Sequence, residues 1–407
     1  MRVLWFSNRG ILNSNISGSG SWLYSMSHNL TNHYDIEIVN ITESSSIKNV
    51  TCDVLGNITE WTIPSSSLID GLPSKEIISE IQNIVTKSKP DVIHIWGVEN
   101  FWGLLFSRGY ITGYTTLLEI QGLLFTCNEY YRNNLYWREF YRTQSFFKAL
   151  YSFVYVYLQS IKFSRRLKHE SEILSFFKNI SYQSDWTHQK LKFKTDAIYY
   201  HSLRPIRPQF FSADKWTQDE KSKNILTIAS AEPYKGLHVT IKAIALLAKN
   251  NPDIKLLVAG VSLRKFNRGY LQYINDLVNR LGVQNKIEFL GSLNADELLQ
   301  KIYYSRCLVI SSFVESYSAV FAEAMCLGIP TVVSYSGAMT EFARNDESAL
   351  FYTPGDFYQC AEKIERLMTN PDFANKISYN STLLSVKNND KKVAENQMSI
   401  YNKILSL

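Results

Sequence analysis

Cysteine is scarce in this chain. It has five in 407 residues: Cys52, Cys127, Cys307, Cys326 and Cys360. The number is odd, and there is no C-x-x-C and no Cys/His cluster, so neither a disulfide framework nor a zinc site is indicated, and a reduced cytosol is the simplest setting. The opening residues, MRVLWFSNRG, lack the apolar core of a signal peptide. Triplets such as Asn29-Leu30-Thr31 are then chance matches to a glycosylation signal. Asp-x-Asp occurs nowhere, which removes the acidic pair that holds a divalent metal against a diphosphate. Internal repeats and low-complexity tracts are also lacking. Neither sign of charge dominates: 43 Lys and Arg stand against 37 Asp and Glu, a net +6. That balance permits a nucleotide, a phospholipid surface or a nucleic acid and selects none of them. No nucleic-acid partner is expected.

What remains is ordinary globular composition, 45% hydrophobic and 20% charged, at a length that suits two domains of about 200 residues each. Apolar runs alternate with helical patterns throughout. In the first half, Arg2–Ser7, Ile36–Val39, Asp91–Trp96 and Thr115–Ile120 read as strands, with helices over Trp22–Asn32 and Ser74–Ser88. Thr51–Thr62 is ambiguous. Ile180–Gln183 and Ala197–Tyr200 are further short strands. His201–Lys223, with Pro205 and Pro208, reads as the linker. Strands at Asn224–Ala229, Lys255–Ala259, Lys286–Leu290, Leu308–Ile310, Thr331–Val333 and Ala349–Tyr352 alternate with helices in the second half. This is the doubly wound α/β pattern, twice over.

The most informative stretch is Leu308–Ser334, LVISSFVESYSAVFAEAMCLGIPTVVS. It is a buried strand, a polar turn, a helix from Ser318 to Leu327 stopped by Gly328 and Pro330, and another buried strand. The loop after a parallel strand opens where ligands bind. The helix N-terminus at Ser318 and Ala319 presents free N–H groups and a positive dipole end, suited to a phosphate. Glu315 lies just before those donors. Glu323 lies about 7.5 Å further along the helix axis. A carboxylate on each side of an anion site matches the layout of sugar, diphosphate and ribose in a nucleotide sugar.

Glu315-Ser316-Tyr317-Ser318, Glu323-Ala324-Met325 and Gly328-Ile329-Pro330 together resemble the donor-site motif of retaining GT-B glycosyltransferases of family four. The resemblance implies two Rossmann-like domains facing each other across a cleft. Residues 1–203 would hold the acceptor and 204–385 the nucleotide sugar, and a last helix within 386–407 would return to the first domain. It implies Glu315 and Lys235 as catalytic. Glu323, Ser230, Gly236, Ser316, Tyr317, Ser318 and Ala319 would bind the donor, with Gly18 and Gly20 in a glycine loop beside the diphosphate or the acceptor. Lys235-Gly236 matches the family pattern, but the family's arginine position is occupied by Ser230. Where the family often has His-Gly after a first-domain strand, this chain has Gln121-Gly122, and a glutamine hydrogen-bonds without serving as a base. His94, inside an apolar strand, reads first as a packed core residue. Glu99 is the nearest other carboxylate on the acceptor side.

The activity implied is transfer of a hexosyl group from a UDP- or GDP-sugar to a hydroxyl, with anomeric configuration retained and no metal or other cofactor. The donor's own diphosphate oxygen would take the acceptor proton. A GT-B epimerase or phosphorylase and a non-catalytic partner subunit are the alternatives. The first pair has no motif here, and the last would be expected to have lost Glu315 or Lys235.

Tyr130–Lys168 differs in kind. Eight Lys and Arg, among them Arg138, Arg142 and Lys148, accompany one acid, Glu139, and interleaved aromatics. Its least charged part, Ala149–Ile161, is too short to span a bilayer, which takes about 20 residues. Two readings stand: helices that cover the first domain with snorkelling cations, or a face resting on an anionic inner membrane surface. The second would place the protein peripherally on the cytoplasmic side, extending a lipid-linked sugar for a surface polysaccharide or glycolipid.

Overall fold

The computed structural model describes residues 1–12, 22–219, 221–261, 269–385 and 388–407. The chain forms two compact units. Met1–Phe125, Arg165–Arg207 and Asn388–Leu407 make the first, and Thr126–Ser164 with Pro208–Lys387 the second.

The first unit is built on eight strands: β1 (Arg2–Phe6), β2 (Glu37–Ser44), β3 (Thr51–Leu55), β4 (Ile58–Pro64), β5 (Val92–Trp96), β6 (Thr115–Glu119), β7 (Asn179–Tyr182) and β8 (Ile198–His201). Their order is β3-β4-β2-β1-β5-β6-β7-β8. Among the described residues only the β3–β4 pair is antiparallel. The ambiguous segment Thr51–Thr62 is thus an edge hairpin turning at Gly56, whose φ is 55°. Strand β5 is buried at every residue, as β1 is from Val3 on, which is why both read as near-continuous apolar runs. Helices α1 (Trp22–His33), α2 (Lys75–Ser88) and α3 (Trp102–Ser107) follow β1, β4 and β5. After β6 come α4 (Leu124–Glu129), α5 (Trp137–Thr143) and the 31-residue α6 (Phe146–Phe176), then α7 (Asp185–Leu191) between β7 and β8.

The second unit has six parallel strands: β9 (Asn224–Ile228), β10 (Lys255–Ala259), β11 (Ile287–Gly291), β12 (Cys307–Ile310), β13 (Thr331–Ser334) and β14 (Leu350–Tyr352). Their order is β11-β10-β9-β12-β13-β14. Its helices are α8 (Pro208–Ser212), α9 (Leu237–Leu247), α10 (Gly269–Leu281), α11 (Ala295–Tyr303), α12 (Ala319–Leu327), α13 (Met339–Phe342), α14 (Phe357–Thr369) and α15 (Pro371–Leu384); α16 (Asp390–Leu405) ends the chain. Side-chain caps set several of the starts. Asn294 and Glu297 form a capping box on α11, and Asp356 accepts from two N–H groups of α14.

Three placements refine the sequence reading. The final helix α16 belongs to the first unit: Asn29 Nδ2 donates to Asp390 at 3.0 Å, and Trp5 Nε1 to the Tyr401 hydroxyl at 3.1 Å. The stretch read as a linker is mostly fixed structure. Trp216 is buried, its indole donating to the Ser305 carbonyl at 2.9 Å and its backbone N–H to the Leu327 carbonyl at 2.8 Å. The largest change concerns residues 126–164. The expectation that this basic aromatic stretch covers the first domain fails, because Leu135, Phe140, Ala149 and Val156 belong to the second unit's core.

Candidate active site

In a doubly wound sheet the ligand crevice lies beyond the carboxyl ends of the strands, where the strand order reverses. In the second unit that point is between β9, followed in sequence by β10 on one side, and β12 on the other. The loops leaving these two strands carry Lys235 and Glu315.

The two loops are joined atom by atom. After β9 the chain makes a single 3-10 turn, Pro233–Lys235, and ends it on Gly236 at φ 70°. A β-carbon on Gly236 would lie 2.0 Å from the Ser311 carbonyl oxygen, so only glycine admits this approach. Ser311 Oγ donates to the Lys235 carbonyl at 3.1 Å, and the Phe313 N–H to the Tyr234 carbonyl at 2.8 Å. Glu315 is held from its other side by the turn at Gly337, φ 57°, where a β-carbon would lie 1.9 Å from the Glu315 carbonyl oxygen. The Ala338 N–H donates to that same oxygen at 2.9 Å. With both backbones fixed, Lys235 Nζ meets Glu315 Oε1 at 2.7 Å, and Ser312 Oγ donates to the same oxygen at 2.6 Å. Side-chain exposure is 29% for the lysine and 11% for the glutamate, so this pair is partly buried and is not an open surface contact.

Helix α12 starts three residues beyond Glu315 at Ser318, whose side chain caps it by accepting from the Phe321 N–H at 3.3 Å. Ser316, Tyr317 and Ala319 are half-buried around that N-terminus, and Tyr317 packs edge-on against Phe342 at 5.1 Å. Glu323 sits one turn further in and is buried. The Ser230 hydroxyl accepts from the Glu232 N–H at 3.3 Å, within its own turn. Among the described residues no cluster of three or more His, Cys, Asp or Glu is placed to hold a metal ion.

In the first unit the strand order reverses between β1 and β5. Gly18 and Gly20, expected in the loop after β1, lie outside the described residues. His94, on β5, is fully buried. Its Nδ1 lies 2.8 Å from the Tyr401 hydroxyl and its ring stacks on Trp96 at 3.8 Å. Burial holds its pKa well below the usual value, so it is a neutral core residue tying α16 to the sheet, and its candidacy on the acceptor side falls. Glu99 does follow β5 at the reversal point. Burial raises its carboxyl despite the nearby Arg166 and Arg204, and Arg166 donates to the Glu99 carbonyl at 2.5 Å. Gln121 is half-buried just beyond β6.

Two further carboxylates here escaped the sequence reading. Glu119, the last residue of β6, is buried and accepts from Ser202 at 2.7 Å and also from Ser181 and Gln183. Glu170, on α6, accepts from the Leu124 and Phe125 N–H groups at 2.6 and 2.8 Å, and burial pushes its carboxyl up to about 7. A glutamate closing an apolar strand was a weak signal for the first. Glu170, in the charged run RRLKHESE, had none.

Residues 209–383 match the model of the family glycosyl transferases group 1. The second unit carries a group 1 glycosyl transferase domain. This domain contains Lys235, Glu315 and Glu323. An uncharacterized glycosyltransferase of Methanocaldococcus jannaschii is 30% identical over 165 residues, which are 40% of this chain and 40% of that protein's own length. Two solved structures share the fold over 100% of the chain. Sucrose-phosphate synthase from Thermosynechococcus elongatus matches with a TM-score of 0.76 at 14% identity over 99% of its chain. Anabaena HepE in complex with UDP-glucose matches with a TM-score of 0.65 at 14% identity over 100% of its chain. The fold is GT-B, two parallel-sheet α/β domains.

Proposed function

We propose that the chain is a retaining hexosyltransferase that moves a sugar from a UDP- or GDP-sugar to the hydroxyl of a sugar or lipid-linked sugar. The observation that carries this reading is the Lys235–Glu315 contact of 2.7 Å at the point of strand reversal, one loop before the N-terminus of α12. Lys235 and the α12 N–H groups face the diphosphate, Glu315 the sugar and Glu323 the ribose hydroxyls. HepE, similar in fold, is a protein solved with UDP-glucose. In the reaction the bond from the anomeric carbon to the diphosphate oxygen breaks. The acceptor oxygen bonds to that carbon on the same face, and its proton passes to the departing phosphate oxygen. Lys235 and the helix N-terminus stabilise the charge that develops there, as fixed electrostatics and without a metal.

The acceptor is proposed to be lipid-linked, reached from the cytoplasmic face of a membrane during surface polysaccharide or glycolipid synthesis. No helix among the described residues is long and apolar enough to cross a bilayer. Support for contact with its surface comes from α5 and α6. Phe146, Phe147, Leu150, Tyr151, Val154, Tyr157 and Leu158 are exposed at helical spacing, with Arg138, Arg142 and Lys148 exposed beside them. The one acid of the stretch, Glu139, is turned inward onto Lys242 and leaves that face cationic.

The test is incubation with a panel of UDP- and GDP-sugars and lipid-linked acceptors, following nucleotide release with and without EDTA and the anomeric configuration of the product. Absence of release from every donor, an inverted product, or complete and reversible loss of activity in EDTA would each overturn the corresponding part of the reading.

A further inference from the structure

The Glu315 carboxylate is gripped asymmetrically. Lys235 Nζ and Ser312 Oγ both donate to Oε1, at 2.7 and 2.6 Å, and among the described residues no donor reaches Oε2. A carboxylate held by one oxygen keeps the acceptor sites of the other for a ligand.

The two donors differ in their freedom. Lys235 ends a flexible four-carbon stem and keeps 29% of its side-chain exposure, so it can turn to another anion. Ser312 is 3% exposed, and its neighbours Ser311 and Phe313 are buried with it. Its backbone is pinned. The hydroxyl of Ser334, fully buried at the end of β13, donates to the Ser312 carbonyl. On the other side the Phe313 N–H donates to the Tyr234 carbonyl at 2.8 Å. The short Ser312 side chain therefore stays where it is when the lysine moves. When a diphosphate takes Lys235, Glu315 loses one of its two restraints. A carboxylate freed at that moment would follow the lysine and set its charge beside the phosphate oxygens, where like charges repel.

We propose that Ser312 is a positioning residue for Glu315: it holds Oε1 after Lys235 has passed to the diphosphate, and so keeps Oε2 on the sugar. This inference rests on the reading of Glu315 as the residue that faces the sugar.

The experiment is a double-mutant cycle on Ser312→Ala and Glu315→Gln. Each of the four proteins is assayed for turnover of the nucleotide sugar that wild type uses, and for calorimetric affinity for free UDP and GDP. Ser312→Ala should lower kcat by about tenfold, the scale of one hydrogen bond to a charged group. Its affinity for the free nucleotide, which carries no sugar, should stay within about twofold of wild type. In the Glu315→Gln background the same change should alter kcat by less than about twofold, because the charge that Ser312 positions is gone. Losses that multiply in the double variant would mean that Ser312 acts independently of Glu315, and would overturn the inference. Unchanged kcat in Ser312→Ala, or nucleotide affinity that falls in step with kcat, would overturn it too. If Glu315→Gln alone turns over as wild type does, the reading of Glu315 falls. If Glu315→Gln loses turnover and Ser312→Ala does not, only this inference falls. Should Ser312→Ala fail to fold, or no donor turn over, a crystal structure of wild type with UDP or GDP decides. Ser312 Oγ still bonded to Glu315 Oε1, with Lys235 on the phosphates, supports the inference; a broken bond, or Lys235 still on Glu315, refutes it.

Discussion

Replacing Glu315 with glutamine separates its two roles. Its carboxylate holds Lys235 at 2.7 Å. At that distance and an effective dielectric of about 20 the gross Coulomb attraction is on the order of 6 kcal/mol. Most of it is offset by the desolvation of both groups, and the lysine keeps 29% of its side-chain exposure. A net value of about 1 kcal/mol is appropriate for a partly screened pair. A diphosphate that takes over Lys235 must displace this contact. Glu315→Gln keeps the volume and the bond from Ser312 but removes the competing charge, so affinity for free UDP or GDP should rise by about fivefold. Turnover should fall by about a hundredfold or more, the scale of losing a charged group aimed at the reacting sugar. Calorimetry with the nucleotide and initial rates with the nucleotide sugar measure the two effects on one preparation. Nucleotide binding weakened in step with turnover would mean that Glu315 supports the fold of the loop. Unchanged turnover would remove it from the reaction.

Glu323→Ala should act in the opposite sense, weakening nucleoside and nucleotide alike by about ten- to a hundredfold through the lost ribose contact, read by the same calorimetry. Glu170, whose carboxyl is pushed up to about 7, binds its proton more tightly folded than unfolded. Its contribution to stability is therefore full below about pH 4.5 and lost as pH rises through about 7. Glu170→Gln should flatten the fall in urea-unfolding stability between pH 5 and pH 8 by at most about 3 kcal/mol, and an unchanged slope would refute the assignment. On α5 and α6, flotation with anionic liposomes should require the anionic lipid, fall with salt, and drop when Arg138, Arg142 and Lys148 become glutamate, at about 1 kcal/mol per cation. Protein that stays soluble under every condition would point to a soluble acceptor.

The second half of the fold and its site were legible because local chemistry there is dictated by the backbone. Gly236 and Gly337 occur where no β-carbon fits, and Ser318 where a helix start needs an oxygen. Such demands mark the sequence. The Lys235–Glu315 contact was not legible, since residues 80 positions apart leave no trace of their pairing in spacing. His94 shows the opposite case: its apolar neighbours already indicated a packed residue, but only Tyr401, on the last helix, explains how its Nδ1 is satisfied. Glu119 and Glu170 were missed because a buried glutamate and a solvated one are identical letters. What distinguishes them is the donors around them, Ser202 in one case and two helix N–H groups in the other.

The arm 126–164 shows how far a hydrophobic pattern reaches. Periodicity states that a helix has a face to bury and leaves open which sheet it is buried against. Here Phe140 meets Tyr273 at 4.9 Å and Gln144 donates to Asp276 at 2.7 Å, both partners on α10. Those contacts use up the inward face, and with it Glu139, through Lys242. The outward face is left with aromatic and aliphatic side chains among cations, of which Lys148 lies 4.0 Å from Asp276 on α10. A second copy of the same face would meet it with like charge, so self-association through this surface is disfavoured. An anionic lipid surface, as proposed, would supply both an opposite charge and an apolar interior for the rings. The group 1 domain, whose core the arm joins, is then the unit that any such surface would hold.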